Sequence, residues 1–251
     1  MMVQLISFYQ NRLFFCGGKR GCLLGLIILF SSQIAAQEAQ VIFDGLVNAT
    51  SIYATQDHLF VVESGKHRLL KLDHDGNLIE RLGGLGTGDY QFDRPIDVDA
   101  TNGLKIYISD YGNNRIQIYD RRFQYLGTIT GETAFRDRRI QPTQLVVNNF
   151  GELFVYDGSS KSILKFDENG NYIDFFKVNR FQVDQMRIRN DSIQLVDNSN
   201  LKIQFITQNG ILGEIFPFQV LPVELVDKTE SSGFYFELDS DKIEKGKLVD
   251  Q

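Results

Sequence analysis

The chain has 251 residues, 43% of them hydrophobic, which is enough for one large core or two small ones. It carries 32 acidic and 26 basic residues, a formal net charge of −6. This balance argues against nucleic acid as a partner, because neutralising phosphates requires clustered Lys and Arg.

The first 36 residues differ in composition from the rest of the chain. They contain three basic residues and no Asp or Glu. The apolar run Cys22–Phe30 is too short to span a bilayer, and small residues ending at Ala36 follow it. We predict a secretory signal peptide over 1–36, with an uncleaved anchor or a buried helix as the alternative. Its removal takes both cysteines and brings the net charge to −9, so we expect residues 37–251 to form a thiol-free periplasmic or secreted domain without a stable membrane span.

Five segments of the remaining chain resemble one another. Each has a run of Val, Ile, Phe and Tyr that ends in an acid, and a polar turn then leads to a second such run. Four short antiparallel strands at a period of about 43 residues predict the blade of a β-propeller. The acids are Glu63, Asp110, Asp157, Asp197 and, in a weaker copy, Asp239.

The ends of the chain predict how the ring closes. A strand over 40–44 precedes the repeats, and the second unit begins with a strand over 94–99. The last unit supplies strands near 223–227, 233–238 and 242–249 and lacks a fourth. Pairing of the first strand with the last unit would remove exposed edges. We therefore predict an all-β fold, a β-propeller of four-stranded antiparallel blades with five blades closed by the N-terminal strand, six being the runner-up.

The stretch from Gly83 to Tyr90, GGLGTGDY, has the glycine content of a phosphate-binding loop. Such a loop requires a helix N-terminus after it, whereas here Pro95 leads into a predicted strand and no Gly-Lys-Ser/Thr follows. We interpret the stretch as a connector between two blades, in which glycine supplies positive φ. We expect Phe92 to pack between those blades.

Three short runs in the first two units resemble the motif of NHL-repeat β-propellers. They are Gly112-Asn-Asn-Arg-Ile116, Gly65-Lys-His-Arg-Leu69 and the longer run 88–98. The resemblance extends more faintly over the rest of 37–251. It implies that the acid of each unit forms a structural pair with a basic residue five positions later, and an acid at such a turn also accepts hydrogen bonds from nearby N–H groups. The pairs are Glu63 with Arg68, Asp110 with Arg115 and Asp197 with Lys202, whereas Asp157 faces Ser162.

The resemblance implies several kinds of function, because fold alone does not choose among them. RNA-binding propellers are similar, but the acidity and the predicted export argue against RNA. Lyases that cleave amidated peptide precursors are also similar, and they imply a metal site with several His and Cys. Residues 37–251 contain only His58, His67 and His74 and no Cys, so we predict no catalytic residues and no zinc site.

Related propeller lactonases imply a calcium site of Asp, Asn and Glu around the channel. Asp97 and Asp99 share one face of a predicted strand, because side chains alternate along a strand. The matching positions Ala54, Val146 and Arg187 do not complete a cage. We predict no cofactor, and the alternative is a metal-dependent hydrolase or lyase that holds calcium at Asp97 and Asp99.

The loops between blades collect basic and aromatic residues, which the centres of protein interfaces favour. We predict a non-catalytic exported module that binds or scaffolds a protein or an anionic glycan outside the cytoplasm through this rim. The candidate binding residues are Tyr90, Arg94, Tyr111, Phe135, Arg136, Arg138, Arg139, Arg180 and Phe181.

Overall fold

Four antiparallel sheets of four strands each repeat along the chain and form blades of a β-propeller. The computed structural model describes residues 40–101, 103–132, 139–178, 181–189, 191–217 and 234–247. In each of these sheets every strand pairs with the next one in chain order. Blade 1 consists of β2 (Ala49–Ala54), β3 (Leu59–Glu63), β4 (Arg68–Leu72) and β5 (Leu78–Gly83), and blade 2 of β6 (Pro95–Asp99), β7 (Lys105–Asp110), β8 (Arg115–Asp120) and β9 (Tyr125–Thr130). Blade 3 consists of β10 (Pro142–Val147), β11 (Leu153–Asp157), β12 (Ser162–Phe166) and β13 (Tyr172–Lys177), and blade 4 of β14 (Gln185–Arg189), β15 (Ser192–Asp197), β16 (Lys202–Thr207) and β17 (Leu212–Pro217).

The second strands of blades 1 and 3 are apolar on both faces because these blades are covered on both sides. Every residue of β3 and of β11 is buried. One core cluster joins Phe60 and Leu69 of blade 1 to Val98 and Ile108 of blade 2. Further clusters join blade 2 to blade 3 and blade 3 to blade 4 in the same way. Burial of apolar faces between neighbouring sheets therefore holds the blades in sequence.

The turns between third and fourth strands form as the Asp, Asn and Gly pattern predicts. The Asp73 carboxylate accepts the N–H groups of Asp75 at 2.9 Å and Asn77 at 2.8 Å. A hydrogen bond from the Asn77 side chain, with the backbone N–H groups, lowers the pKa of Asp73. Asp167 makes the same contacts to the N–H groups of Asn169 and Asn171. These side chains fix the turn by satisfying its backbone donors.

A three-stranded sheet contains the first described strand and the last two. β1 (Gln40–Asp44) pairs antiparallel with β19 (Lys242–Lys247), which pairs with β18 (Phe234–Leu238). Ile243 of this sheet is buried with the apolar residues of blade 1. The predicted strand over 40–44 and its pairing partner are thus observed. The predicted strand near 223–227 lies outside the described residues, and the number of blades stays a prediction.

Candidate functional site

The loops at one end of the blades are called the connector face. It combines the loops that join consecutive blades with the turns between second and third strands, two of which contain short 3-10 helices, Ser64–Lys66 and Tyr111–Asn113. Its described segments are 45–48, 64–67, 84–94, 111–114, 131–132, 139–141, 158–161, 178, 181–184 and 198–201.

Each loop that enters a blade is held by a repeated arrangement, which we call the latch. A buried apolar residue is followed by a residue whose backbone N–H donates to the buried acid of the same blade. The apolar members Leu46, Phe92, Ile140 and Phe181 are 5%, 0%, 0% and 3% exposed. The hydrogen bonds run from Val47 to Glu63 (2.9 Å), Asp93 to Asp110 (2.8 Å), Gln141 to Asp157 (2.8 Å) and Gln182 to Asp197 (3.2 Å).

The predicted acid–base pairs form in the first two blades. Arg68 Nε donates to Glu63 at 2.5 Å, and Arg115 Nε donates to Asp110 at 2.7 Å. In blade 4 the acid Asp197 instead accepts hydrogen bonds from the side chain of Asn200. Burial alone raises the pKa of Asp197, but the Asn200 hydrogen bonds and the N–H of Gln182 outweigh it and leave the pKa below its ordinary value. All three acids therefore act as buried acceptors that fix loops.

The glycine-rich connector after blade 1 is a binding site for an arginine of its own chain. Arg115 donates to the carbonyl oxygens of Thr87 at 2.8 Å, Gly88 at 2.9 Å and Gln91 at 3.0 Å. The side chain of Asn113 donates to the carbonyl of Gly86 at 2.8 Å. Carbonyl oxygens converge on a guanidinium here, whereas a phosphate loop would present N–H groups to an anion. The interpretation of this stretch as a connector, leading into β6, is confirmed.

The contacts of Arg115 and Asn113 with the connector are called the clamp. Glycine is required at two positions around it. Gly83 has φ 120°, and a Cβ there would lie 2.7 Å from the ring of Phe92. Gly112 donates its N–H to the carbonyl of Asp93 at 2.8 Å, and a Cβ at Gly112 would lie 2.4 Å from the Asp93 carboxylate. The Gly of the resembling motif thus permits the close approach of the latch to the turn.

Arg94 and Tyr111 come together on the connector face. The Arg94 guanidinium lies 5.5 Å from the centre of the Tyr111 ring and 3.6 Å from the Asp93 carboxylate, and the Arg94 side chain is 60% exposed. The backbone N–H of Arg94 donates to His67 Nδ1 at 3.0 Å, so this nitrogen acts as an acceptor. Arg94 has φ 48°, in the left-handed region, and the equivalent residue of blade 1 is Asn48 with φ 50°. Asn tolerates this conformation and Arg does not favour it, so the backbone does not account for the arginine.

The other predicted binding residues occupy different surroundings. Tyr90 is 48% exposed, and its ring lies near those of Tyr119 and Tyr125 at 6.0 and 6.3 Å. Arg139 is exposed on the connector face. Phe181 is buried between blades 3 and 4 as the apolar member of a latch, so its prediction as a surface contact is wrong. Phe135, Arg136, Arg138 and Arg180 lie outside the described residues.

Asp97 and Asp99 share one face of β6, as predicted, and both reach across to blade 3. Asp97 accepts the N–H of Leu145 at 2.6 Å and the hydroxyl of Ser51 at 2.6 Å. Asp99 accepts the N–H of Val147 at 3.1 Å. The first strands of neighbouring blades are therefore joined through side-chain carboxylates. Among the described residues, no group of three or more His, Cys, Asp or Glu is placed to hold a metal ion.

We expect Asp99 to make the protein less stable as the pH rises from 3.8 to about 7. Burial raises the pKa of Asp99 to about 7, above its unfolded value of 3.8, so the folded state binds more protons across that window. The urea midpoint should therefore fall between pH 5 and pH 8, and the fall should be smaller in Asp99→Asn. Burial lowers the pKa of His58, which acts in the opposite direction in both proteins alike. An identical pH response of the two proteins would show that Asp99 does not titrate in this range.

The comparisons with known proteins agree with this geometry. The family model described as the NHL repeat matches residues 92–119, from the latch residue Phe92 to Tyr119 at the end of β8. The chain has the fold of an NHL-type β-propeller. The match includes Gly112 and the Asp110–Arg115 pair, so the residues that hold the glycine-rich connector lie within the matched range. No curated protein matches the sequence.

Solved structures with this propeller fold include enzymes and a protein described as exported. Virginiamycin B lyase from Staphylococcus aureus is 12% identical with a TM-score of 0.55, and the match covers 85% of this chain and 74% of that one. A protein of Bacteroides fragilis described as exported is 18% identical with a TM-score of 0.52, over 73% and 55% of the two chains. Hydrazine synthase of Kuenenia stuttgartiensis is 12% identical with a TM-score of 0.54, over 76% and 55%. At these identities the likeness concerns the fold. In the part of the chain that the structure describes, no helix has the length and apolarity needed to cross a bilayer.

Proposed function

We propose that this NHL-type propeller is a non-catalytic module outside the cytoplasm that binds a protein or an anionic glycan through its connector face. Arg94 carries this proposal. It holds an exposed guanidinium over Tyr111 at a backbone position where blade 1 has Asn, the residue better suited to that conformation. An arginine stacked on an aromatic ring presents charge and a flat apolar surface together, as the centres of interfaces do.

The loop that carries Arg94 is held by contacts to its own chain, which favours binding. The connector before it is fixed by Arg115 and by the buried ring of Phe92. A surface that is ordered before binding loses less conformational entropy when the partner docks. Tyr90 and Leu85 project from this fixed loop and are 48% and 67% exposed. They extend the surface around Arg94 with apolar area.

The proposal includes a ring of five blades. Blade 4 has an apolar face on the side away from blade 3, and Phe216 on that face is 49% exposed among the described residues. The sheet of β1, β19 and β18 has three strands, and residues 218–233 lie between β17 and β18 in the chain. One strand from this interval, near 223–227, would complete the fifth sheet and cover that face.

We expect Arg94→Asn to remove most of the binding while keeping or slightly raising stability, since Asn fits the backbone there. The measurement is capture of partners from an extracytoplasmic fraction by the wild-type protein and the variant. Protease treatment of the fraction before capture separates the partner classes, because it destroys a protein partner and leaves a glycan intact. The combined change of Arg136, Arg138 and Arg139 to Ala tests the other predicted binding arginines.

The control is Arg122→Ala, which removes an exposed arginine at the opposite end of blade 2. Binding that survives in Arg94→Asn and in the triple variant would contradict the proposal. The metal content of the same preparations addresses the alternative of a metal-dependent hydrolase or lyase. About one tightly held equivalent of Ca²⁺ or Zn²⁺ would favour that alternative, because such catalysis depends on the metal.

A further inference from the structure

A groove lies between blades 2 and 3, at the end of the blades away from the connector face. Its volume is about 460 Å³, within the range of about 300–1,000 Å³ that is usual for small-molecule sites. One wall is the outer part of blade 2 and the other is the turn between β12 and β13. The lining residues are Lys105, Ile118, Leu126, Gly127, Thr128, Ile129, Asn169, Gly170, Asn171 and Tyr172.

The groove exists because blade 2 lacks a pair of side chains that its neighbours have. At the same cross-strand position blade 1 pairs Lys71 with Glu80, and blade 3 pairs Lys165 with Asp174. Blade 2 has Ile118 opposite Gly127 there. A Cβ added at Gly127 would meet no atom within 4 Å. The space filled by a lysine and an acid in the other two blades is therefore open in blade 2.

The contact between the blades is nevertheless kept by a lysine from another strand. In blade 1, Lys71 Nζ crosses to the carbonyl of Arg121 in the turn of blade 2, at 3.0 Å. In blade 2, Lys105 Nζ makes the equivalent contact with the carbonyl of Glu168 in the turn of blade 3, at 2.6 Å. In blade 2 the lysine is at the start of β7 instead of in the third strand. The link between the blades is therefore kept, and Ile118 lies at the base of the groove.

The chemistry of the groove suits a sugar. Its base is apolar, since Ile118 and Ile129 are 8% and 4% exposed and Gly127 adds no side chain. Its rim carries the amide of Asn169, which can both donate and accept hydrogen bonds, and that of Asn171, which donates one N–H to the Asp167 carboxylate at 2.9 Å. A pyranose has a face of C–H groups that packs on apolar surface and a circumference of hydroxyl groups that requires such partners. A purely apolar ligand would displace the water at these amides without replacing its hydrogen bonds.

The local charge indicates which sugars fit. Lys105 is positive at one edge, while Asp167 and Glu168 are negative in the turn that forms the other wall. Opposite charges of this kind give an acidic sugar no net attraction. We propose that the groove between blades 2 and 3 is a binding site for a neutral saccharide unit, separate from the Arg94 surface.

Saturation-transfer NMR of the purified protein tests the proposal with methyl glucoside, methyl galactoside, N-acetylglucosamine and glucuronate as probes. Saturable binding of at least one neutral sugar is expected, and Gly127→Glu should weaken it by about 10-fold or more, equivalent to about 1.4 kcal/mol. Glu occupies the same position in blade 1, so the sheet accommodates it. Asn169→Ala should also weaken binding and does not depend on filling the groove.

The matched control is Glu80→Ala, which changes the equivalent position in blade 1 and should leave sugar binding as in the wild type. Arg94→Asn should likewise have no effect, so this proposal and that for the connector face can fail independently. Three results would overturn the inference. They are saturable binding of none of the neutral sugars, equal affinity in Gly127→Glu and the wild type, and binding of glucuronate in preference to every neutral sugar.

Discussion

Phe92→Ala should destabilise the protein by about 3–5 kcal/mol, the usual cost of removing a buried aromatic side chain. Phe92 is 0% exposed and lies in the cluster that joins blades 1 and 2. Its ring meets that of Tyr119 edge-on, with centres 6.2 Å apart. The ring also covers Gly83, so its loss would leave a cavity at the start of the connector. The measurement is urea unfolding followed by circular dichroism and tyrosine fluorescence, since the chain has no Trp.

Two variants on the same connector make this measurement specific. Leu85→Ala removes an apolar side chain that is 67% exposed and should change stability by no more than about 0.5 kcal/mol. Phe92→Leu keeps part of the buried volume and should fall between the two. Limited proteolysis at 84–91 should be faster in Phe92→Ala, because the latch no longer holds the loop. A loss in Phe92→Ala no larger than in Leu85→Ala would show that the latch does not join the blades.

Much of the propeller could be predicted from the sequence because its strands repeat. The alternation of Val, Ile, Phe and Tyr between Asn, Asp and Gly turns is local information, and it predicted β1 over 40–44 as observed. The acid at the end of each second strand was also visible. The resemblance to NHL repeats implied the acid–base pair, and Glu63 and Arg68 are directly opposite each other in paired strands.

The strand pattern does not predict the latch, because half of the latch lies in loops, where no periodicity marks the buried residue. Phe181 therefore resembled an exposed aromatic of the rim, although it is equivalent to Phe92. A signal was present in the distances along the chain. The residue that donates to the acid lies 16, 17, 16 and 15 positions before it in the four blades, and an apolar residue precedes it each time.

The surroundings of Asp97 and Asp99 could not be predicted from the strand pattern. Alternation placed both carboxylates on one face, but their partners are N–H groups of Leu145 and Val147, 48 residues further on. A strand pattern gives the direction of a side chain and not the backbone of the neighbouring blade. The groove beside Gly127 could not be predicted for the same reason, because only the pairing of the strands shows which residues the other blades have at that position.

Removal of the acid from the second latch is expected to have the other large effect. Asp110 is 0% exposed and accepts hydrogen bonds from the N–H of Asp93, the side chain of Asn113 and Arg115 Nε, all within 2.8 Å. Asp110→Ala would leave the Arg115 side chain, which is 12% exposed, without its counter-charge. Breaking a buried ion pair from one side costs about 3–5 kcal/mol.

The matched control is Asp120→Ala at the other end of β8. The Asp120 carboxylate accepts the N–H groups of Arg122 and Gln124 in an exposed turn, each at 2.8 Å, so its loss should cost about 1 kcal/mol. Double substitution of Asp110 and Arg115 separates the cost of the lost hydrogen bonds to Asp110 from the cost of leaving the Arg115 guanidinium without its counter-charge. If the uncompensated guanidinium is the main cost, Asp110→Ala with Arg115→Ala will be less destabilised than the sum of the single variants. Equal effects of Asp110→Ala and Asp120→Ala would mean that the clamp on the glycine-rich connector rests on the carbonyl contacts of Arg115 alone.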